Sequence, residues 1–299
     1  MKNSIICDSV NEERLDCFMN KRHQEYSRTY FQKMIKEGKL LVNGKQVLPS
    51  YKVKNNDEIS YVLDESGPVL LKPEKISLNI IYEDEDIIII NKQSDIVVHP
   101  SYGHESGTLL NALLWHFKGK CNPFMVHRLD KDTTGAIIFA KNEKSKVSLS
   151  KQFQKRAVKK IYVTAVCGTV VEEKGRIEAP LGRSMKNRKI IEVGPLAKKM
   201  AITEFKVLSR TRAMSLLEVH IITGRTHQIR SHMKYIGHPV VGDVDYGGCE
   251  SLNNVKFTRQ MLHSYRINFT HPTQGKMVEF VADIPNDMKE LFKNIKLSK

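Results

Sequence analysis

The chain has 299 residues, 40% of them hydrophobic, and a formal net charge of +15 at pH 7, so its length and apolar content suit one substantial core with a smaller module beside it. The excess of cations points to a polyanionic partner, because each phosphate contact releases counterions, although a merely soluble basic protein has the same balance. Five scattered cysteines without a CxxC pair exclude a disulfide scaffold, and the lack of any run near ~18 apolar residues excludes a spanning helix.

In chain order, Met1 to Asp8 lacks the apolar stretch of a signal peptide, and a soluble, cytoplasmic protein is expected. The segment 1–65 has a pattern of its own. Ser27 is placed to cap a helix running to Glu37, with Phe31, Met34 and Ile35 on one face and Gly38 placed to end it. Arg28, Gln32, Lys33 and Lys36 fall on the other face; a charged face of this kind is ordinarily just solvated. Leu40 to Lys45 reads as a strand entering an Asn43-Gly44 hairpin turn, and a further strand follows from Glu58 to Leu63. Through Arg14-Leu15 and the Val42-Asn43-Gly44-Lys45 turn, the block from Glu12 to Val62 resembles the S4-like RNA-binding domain. That resemblance implies a small α/β domain tracking the phosphates of a structured RNA with Arg28, Lys33 and Lys36. Gly67, Pro68 and Pro73 break the periodicity, so 66–77 is expected to be a linker and 78–299 a second domain.

Leu78 to Tyr82, an acidic turn at Glu83 to Asp86 and the apolar run Ile87 to Ile90 predict a buried hairpin, and Thr108 to Phe117 has helical periodicity. Val126-His127-Arg128-Leu129-Asp130-Lys131-Asp132-Thr133-Thr134-Gly135 sets Asp130 in a basic, hydroxyl-rich loop before the strand-like run Ala136 to Ala140. Positive charge at Arg128 and Lys131 favours an anionic, nucleophilic carboxylate. Asn142 is placed to cap a helix through Gln154. Strands at Lys160 to Cys167 and Ser215 to Thr223 precede a helix from Thr226 to Tyr235, which takes in most of Gly224-Arg225-Thr226-His227-Gln228-Ile229-Arg230. Strands and helices mix without regular βαβ spacing, so the expected class is α+β.

The Asp130 loop, the strand Lys160-Ile161-Tyr162-Val163 and the Gly224 to Arg230 motif together resemble the RluA family of RNA pseudouridine synthases. Val97-Val98-His99-Pro100, Gly107 to Leu113, His238-Pro239-Val240-Val241-Gly242-Asp243, Tyr246-Gly247-Gly248, Leu262-His263 and His271-Pro272 extend the likeness over Leu78 to Pro285. It implies a curved, mixed, mainly antiparallel sheet flanked by helices, with a basic cleft across its middle. It also implies an isomerisation without cofactor or metal, in which the N-glycosidic bond of uridine breaks and the base rejoins the ribose through carbon 5. Asp130 would be the catalytic carboxylate, Arg230 its ion-pair partner, and Tyr162 the ring stacking on uracil with a hydroxyl serving proton transfer. Arg128 would fill the gap left by the extruded nucleotide, and Arg225, His227 and Gln228 would contact RNA. Taken alone, Tyr162 reads as an ordinary core or sheet-surface ring and His127 as structural. The N-terminal arrangement looks most like the RluD-like subgroup, whose members act on large-subunit (23S) ribosomal RNA. The implied partner is therefore structured RNA, as 23S rRNA or a pre-ribosomal particle, and the implied state a monomer. One departure is Asn91-Lys92-Gln93-Ser94-Asp95, where family members more often have Asn-Lys-Pro-Ala-Gly.

Other chemistries fail on spacing. Between Gly38 and Gly44 there is one residue too many for a phosphate loop, and Gln46 stands where Ser or Thr belongs. His227 and His232 are five apart without an HExxH glutamate, and no GxGxxG follows a strand, which argues against a zinc site and a Rossmann methyltransferase. Asp130 and Asp132 could mimic a glycosidase pair, but that leaves the RNA-binding pattern without a purpose. A non-enzymatic RNA-binding or ribosome-assembly factor would have no need of Asp130, Tyr162 and Arg230 together.

Overall fold

The computed structural model describes residues 2–8, 13–23, 26, 28–63, 71–100, 105–187, 189–194, 197–252, 254–293 and 297, which fall into two units, Met1–Leu71 and Lys72–Lys299. The first contains β1 (Lys2–Ile6), α1 (Leu15–Arg22), α2 (Arg28–Lys36), β2 (Leu40–Val42) and β3 (Glu58–Val62). Phe31, Met34 and Ile35 are buried, as their spacing predicts, against Leu15, Phe18 and Met19 of α1. Ser27, the expected cap, lies outside the described residues. Asn43 and Gly44 both have positive φ, 50° and 72°, as a two-residue hairpin turn requires. The turn returns the chain only as far as a Val42–Lys45 bridge, however, and β2 pairs with β3 in an antiparallel sheet of order β1-β3-β2.

The polar face of α2 divides. Arg28, expected on the RNA, donates Nε at 2.9 Å to Asp16 of α1, a fully buried carboxylate also held by Arg14 and Gln32. Burial alone would raise the Asp16 carboxyl, but hydrogen bonds from Arg14, Gln32 and Arg28 overcome it and hold the group far below the usual carboxylate range. Arg28 thus ties the two helices together while its side chain stays largely exposed. Lys33 and Lys36 are exposed.

The second unit runs β4 (Ile80–Glu83), β5 (Ile87–Lys92), α3 (Leu109–Phe117), β6 (Phe124–Met125), β7 (Thr134–Ala140), α4 (Glu143–Gln154), β8 (Lys159–Cys167) and β9 (Lys174–Arg183). It continues through β10 (Ile191–Val193), β11 (Lys199–Arg210), β12 (Met214–Ile221), α5 (Gln228–Tyr235), the small hairpin β13 (Ser251–Leu252) and β14 (Val255–Lys256), β15 (Leu262–Thr270), β16 (Met277–Val281) and α6 (Asn286–Phe292). One 11-stranded sheet has the order β10-β9-β11-β12-β8-β15-β7-β5-β4, with β16 added to β15 and β6 to β7. β15 and β7 pair in parallel and the other neighbours are antiparallel, the mixed, mainly antiparallel sheet of an α+β fold. Thr108 caps α3 in a reciprocal box with Asn111, and Asn142 caps α4 by accepting the Ser145 N–H at 2.8 Å. The expected linker lies outside the described residues at 66–70. Its second half is docked on the α3 cap, where Asn111 Nδ2 donates to Lys72 O at 2.8 Å and Glu74 N donates to Asn111 O at 3.0 Å.

β7 and β8 sit at the middle of the sheet and are buried on both faces, so they read as continuous apolar runs. On β8, Val163 and Ala165 pack with Met261, Met288 and Phe292, while Lys160 and Tyr162 on the opposite face line a cavity. No helix among the described residues is long and apolar enough to cross a membrane.

Candidate active site

Asp130 stands between β6 and β7 on a turn closed by Thr133 N–H donating to Asp130 O at 3.2 Å. The next two carbonyls are also held. Lys92 Nζ donates to Lys131 O at 2.7 Å, and Arg259 Nη1 donates to Asp132 O at 3.1 Å. Lys92 is fully buried and gives its remaining protons to Gln93 O and Ile96 O, and burial pushes its ammonium down to about 7. Lys131, expected to add charge beside Asp130, instead pairs with Asp95 at 2.8 Å. Asp95 itself has φ +59°, the left-handed region that explains why glycine is usual there and why an Asp is tolerated.

Arg230, in the first turn of α5, donates Nε and Nη2 to Asp243 at 2.7 and 2.8 Å, and its guanidinium carbon lies 4.6 Å from the centre of the Tyr246 ring. Nη1 remains, 3.5 Å from Asp130 Oδ2. The short charge-assisted contact expected with Asp130 therefore goes to Asp243, and Asp130 faces a cation that another acid has fixed in place. α5 begins at Gln228 rather than Thr226, because His227 has φ +51° and turns its ring inward, with Nε2 3.9 Å from Asp130 Oδ1. Its Nδ1 is 2.8 Å from the Tyr246 hydroxyl, which also accepts the Ile191 N–H. Burial lowers His227 from its ordinary 6.5, outweighing the pull of Asp130, and favours the neutral ring.

Tyr162 of β8 is in register with Ser264 of β15, which faces Gly135 of β7. Gly135 has φ +108°, and a Cβ there would lie 2.2 Å from Ser264 O, so only glycine lets β7 and β15 meet. This row across three strands sets the end of the Asp130 loop beside Tyr162. Burial pushes the Tyr162 hydroxyl above its ordinary value of 10, against a hydrogen bond with Ser264, so it carries its proton throughout the neutral range.

Asp130, Tyr162 and Arg230 line one cavity of 490 Å³, together with Arg128, Arg225, His227 and Gln228. Small-molecule sites span about 300–1,000 Å³. Arg128 is exposed and makes no ion pair with any described residue, while Arg225 reaches Met200 O with Nε at 3.3 Å. Gln228 needs correction. Its amide accepts from Thr223 Oγ1 and Arg225 N and donates to Ile202 O and Thr203 Oγ1, so it locks the motif to β11 and has nothing left for RNA. His127 is structural, its Nε2 accepting the Ile138 N–H at 3.1 Å and its ring stacked on Phe153. Arg28, Lys33 and Lys36 belong to the other unit. Sequence reasoning passed over Asp243, Tyr246 and Lys92 as site-building residues, although Asp243 and Tyr246 lie in segments that carry the family likeness and Lys92 lies in the one that departs from it.

Asp84, Asp86 and His271 bring ligand atoms within 4.8 Å of one another. All four carboxylate oxygens already accept protein hydrogen bonds, from Ile87 N, Asp86 N, Tyr82, His271, Asn142, Ser145 and Thr273, so the cluster is a clamp on the β4–β5 turn.

Comparison with known proteins agrees with this geometry. The family described as RNA pseudouridylate synthase matches residues 86–235, and the S4 domain matches residues 13–59. An uncharacterized RNA pseudouridine synthase of Bacillus subtilis is 39% identical over 97% of this chain and 96% of that protein. The ribosomal large subunit pseudouridine synthase D of Vibrio cholerae is 38% identical over 96% of this chain and 92% of its own. Among solved structures, human RNA pseudouridylate synthase domain containing 1 superposes with a TM-score of 0.57 at 26% identity, covering 74% of this chain and 95% of that one. A carboxylate facing a fixed guanidinium in a basic cavity, on this sheet and with these relatives, places the chain in the RNA pseudouridylate synthase family.

Proposed function

We propose that the enzyme converts specific uridines of large-subunit ribosomal RNA to pseudouridine, with Asp130 as the reacting carboxylate. The observation that carries this reading is the lone approach of Arg230 Nη1 to Asp130 at 3.5 Å while Asp243 holds the rest of the guanidinium. Asp130 is oriented by charge and keeps lone pairs free for the ribose or the base. In the reaction the C1′–N1 bond breaks, a C1′–C5 bond forms, and the proton lost from C5 is matched by one gained at N1. Tyr162, beside Asp130 and still protonated, supplies a ring for the uracil and a hydroxyl within the cavity for that transfer. Arg128, exposed at the same cavity and without an ion pair among the described residues, suits the space an extruded nucleotide vacates.

The unit Met1–Leu71 would dock on structured RNA through Lys33 and Lys36. Action as a monomer belongs to the same proposal, and equilibrium sedimentation tests it. A ribosomal RNA substrate and five free cysteines support a cytoplasmic location, which cell fractionation checks.

The decisive experiment maps pseudouridine in total RNA from cells lacking the gene, complemented with wild type or with Asp130→Asn. Loss of one or a few large-subunit sites, restored only by wild type, is expected. Restoration by Asp130→Asn would remove the carboxylate from the mechanism, and an unchanged map in the deletion would remove the activity, leaving an RNA-binding factor.

A further inference from the structure

Among the described residues of the second unit the buried cations have partners, with one conspicuous exception. Lys92 donates to three carbonyls, Arg230 is held by Asp243, and Arg259 meets Asp287 at 2.7 and 2.8 Å. Lys160 is only 8% exposed, yet its ammonium makes no hydrogen bond or ion pair with any described residue. Its neighbours are the Phe153 ring, whose centre is 5.6 Å from Nζ, and Gly224, whose missing side chain leaves room beside Nζ. A buried charge without a counterion costs several kcal/mol, roughly, unless a ligand brings one.

The surroundings specify the ligand. Lys160 is two residues from Tyr162 on the same strand face, and both line the cavity with Arg128, Arg156 and Arg225. Asp130 is the only carboxylate among the lining residues, and Arg230 already faces it. An uncharged uracil would leave the ammonium uncompensated, whereas a phosphodiester carries a full negative charge and must enter with any extruded nucleotide.

We propose that Lys160 anchors a phosphodiester of the RNA strand beside the target uridine, in a subsite walled by Phe153 and Gly224. The proposal rests on the RNA-modifying function put forward above and adds to it the group that fixes the register of the strand. Burial pushes the Lys160 ammonium down to about 8, and burial, with a smaller contribution from the Lys160 charge, holds His127 down at about 3.

The test uses the full chain with Lys160→Met and Lys160→Arg. The substrates are an unmodified large-subunit ribosomal RNA transcript and a short RNA around the mapped uridine, made with normal or methylphosphonate linkages flanking it. Lys160→Met is expected to raise KM about ten- to a hundredfold with kcat little changed, and Lys160→Arg to recover part of the loss. The slope of log affinity against log salt should shrink by about 0.7–0.9 in Lys160→Met, the signature of one lost phosphate contact. Its melting temperature should not fall, since an uncompensated charge has been removed. On the neutral linkage wild type should drop to the level of Lys160→Met, and the variant should lose nothing more. Unchanged affinity and salt slope in Lys160→Met would overturn the proposal, as would a loss that persists in full on the methylphosphonate RNA, which would assign the lysine to the base. Failure of the wild type to form pseudouridine in any transcript would instead sink the function, because the salt slope reads Lys160 by binding alone.

Discussion

Arg230 meets acceptors through three nitrogens, and Asp243 takes two of them, at 2.7 and 2.8 Å, leaving Nη1 for Asp130. The acid that aims the guanidinium is therefore as important to the site as the guanidinium itself. Both side chains are buried, Asp243 at 2% and Arg230 at 5% exposed, so Asp243→Asn keeps the shape but leaves the cation short of a counter-charge. We expect a loss of about 3 kcal/mol in denaturant unfolding. A shift of Nη1 by even about 1 Å should cost on the order of a hundredfold in single-turnover pseudouridine formation, with RNA affinity nearly intact. Wild-type turnover in a merely less stable Asp243→Asn would reduce Asp243 to scaffolding. Asp130, Tyr162 and Arg230 were legible in the sequence because each stands in a dense motif. Asp243 was not, because its pairing with Arg230 arises from the way α5 folds back on the loop after it, and Gln228 reads as an RNA contact only until its four internal partners are seen.

Among the elements, helices with explicit ends were the most legible. Thr108 and Asn142 cap α3 and α4 where their side chains predict, and the apolar spacing of α2 buries the residues it should. β9 and β11 were not foreseen, since Lys, Arg and Glu crowd their exposed faces and Gly175, Pro180 and Gly182 interrupt β9. Gly135 is a case where one residue governs three elements. Gly135→Ala would place a methyl group 2.2 Å from Ser264 O on a backbone at φ +108°, so β7 and β15 must part and Tyr162, paired to Ser264, must move with β15. The expected cost is about 3 kcal/mol or more in unfolding free energy, with faster amide exchange in β15 and activity lost below the melting transition. An alanine variant with wild-type stability would show that β7 and β15 need no such close approach.

Across the whole molecule the charge is unevenly shared. Residues up to Leu71 hold eleven Lys and Arg against ten Asp and Glu, so nearly all of the net +15 belongs to Lys72–Lys299. The attraction that draws the enzyme to RNA at a distance must then come mainly from the unit that holds the cavity, with the smaller unit contributing local contacts. In that unit Arg28 is tied to Asp16, and Lys33 has Glu37 at 3.8 Å, which weakens its hold on any phosphate. Arg156 and Arg225, by contrast, are exposed residues lining a cavity in which the only carboxylate among the described residues already faces Arg230. The salt dependence of RNA binding separates the two contributions. Replacing Arg156 and Arg225 with Gln should reduce the slope of log affinity against log salt by about 1.5, the release expected for two phosphate contacts. Replacing Lys33 and Lys36 with Gln should reduce it by less than about 1 while still lowering affinity for the cognate RNA. Filter binding at a series of salt concentrations checks both, and an equal or larger change from the lysine pair would move the electrostatic centre of the enzyme to its N-terminal unit.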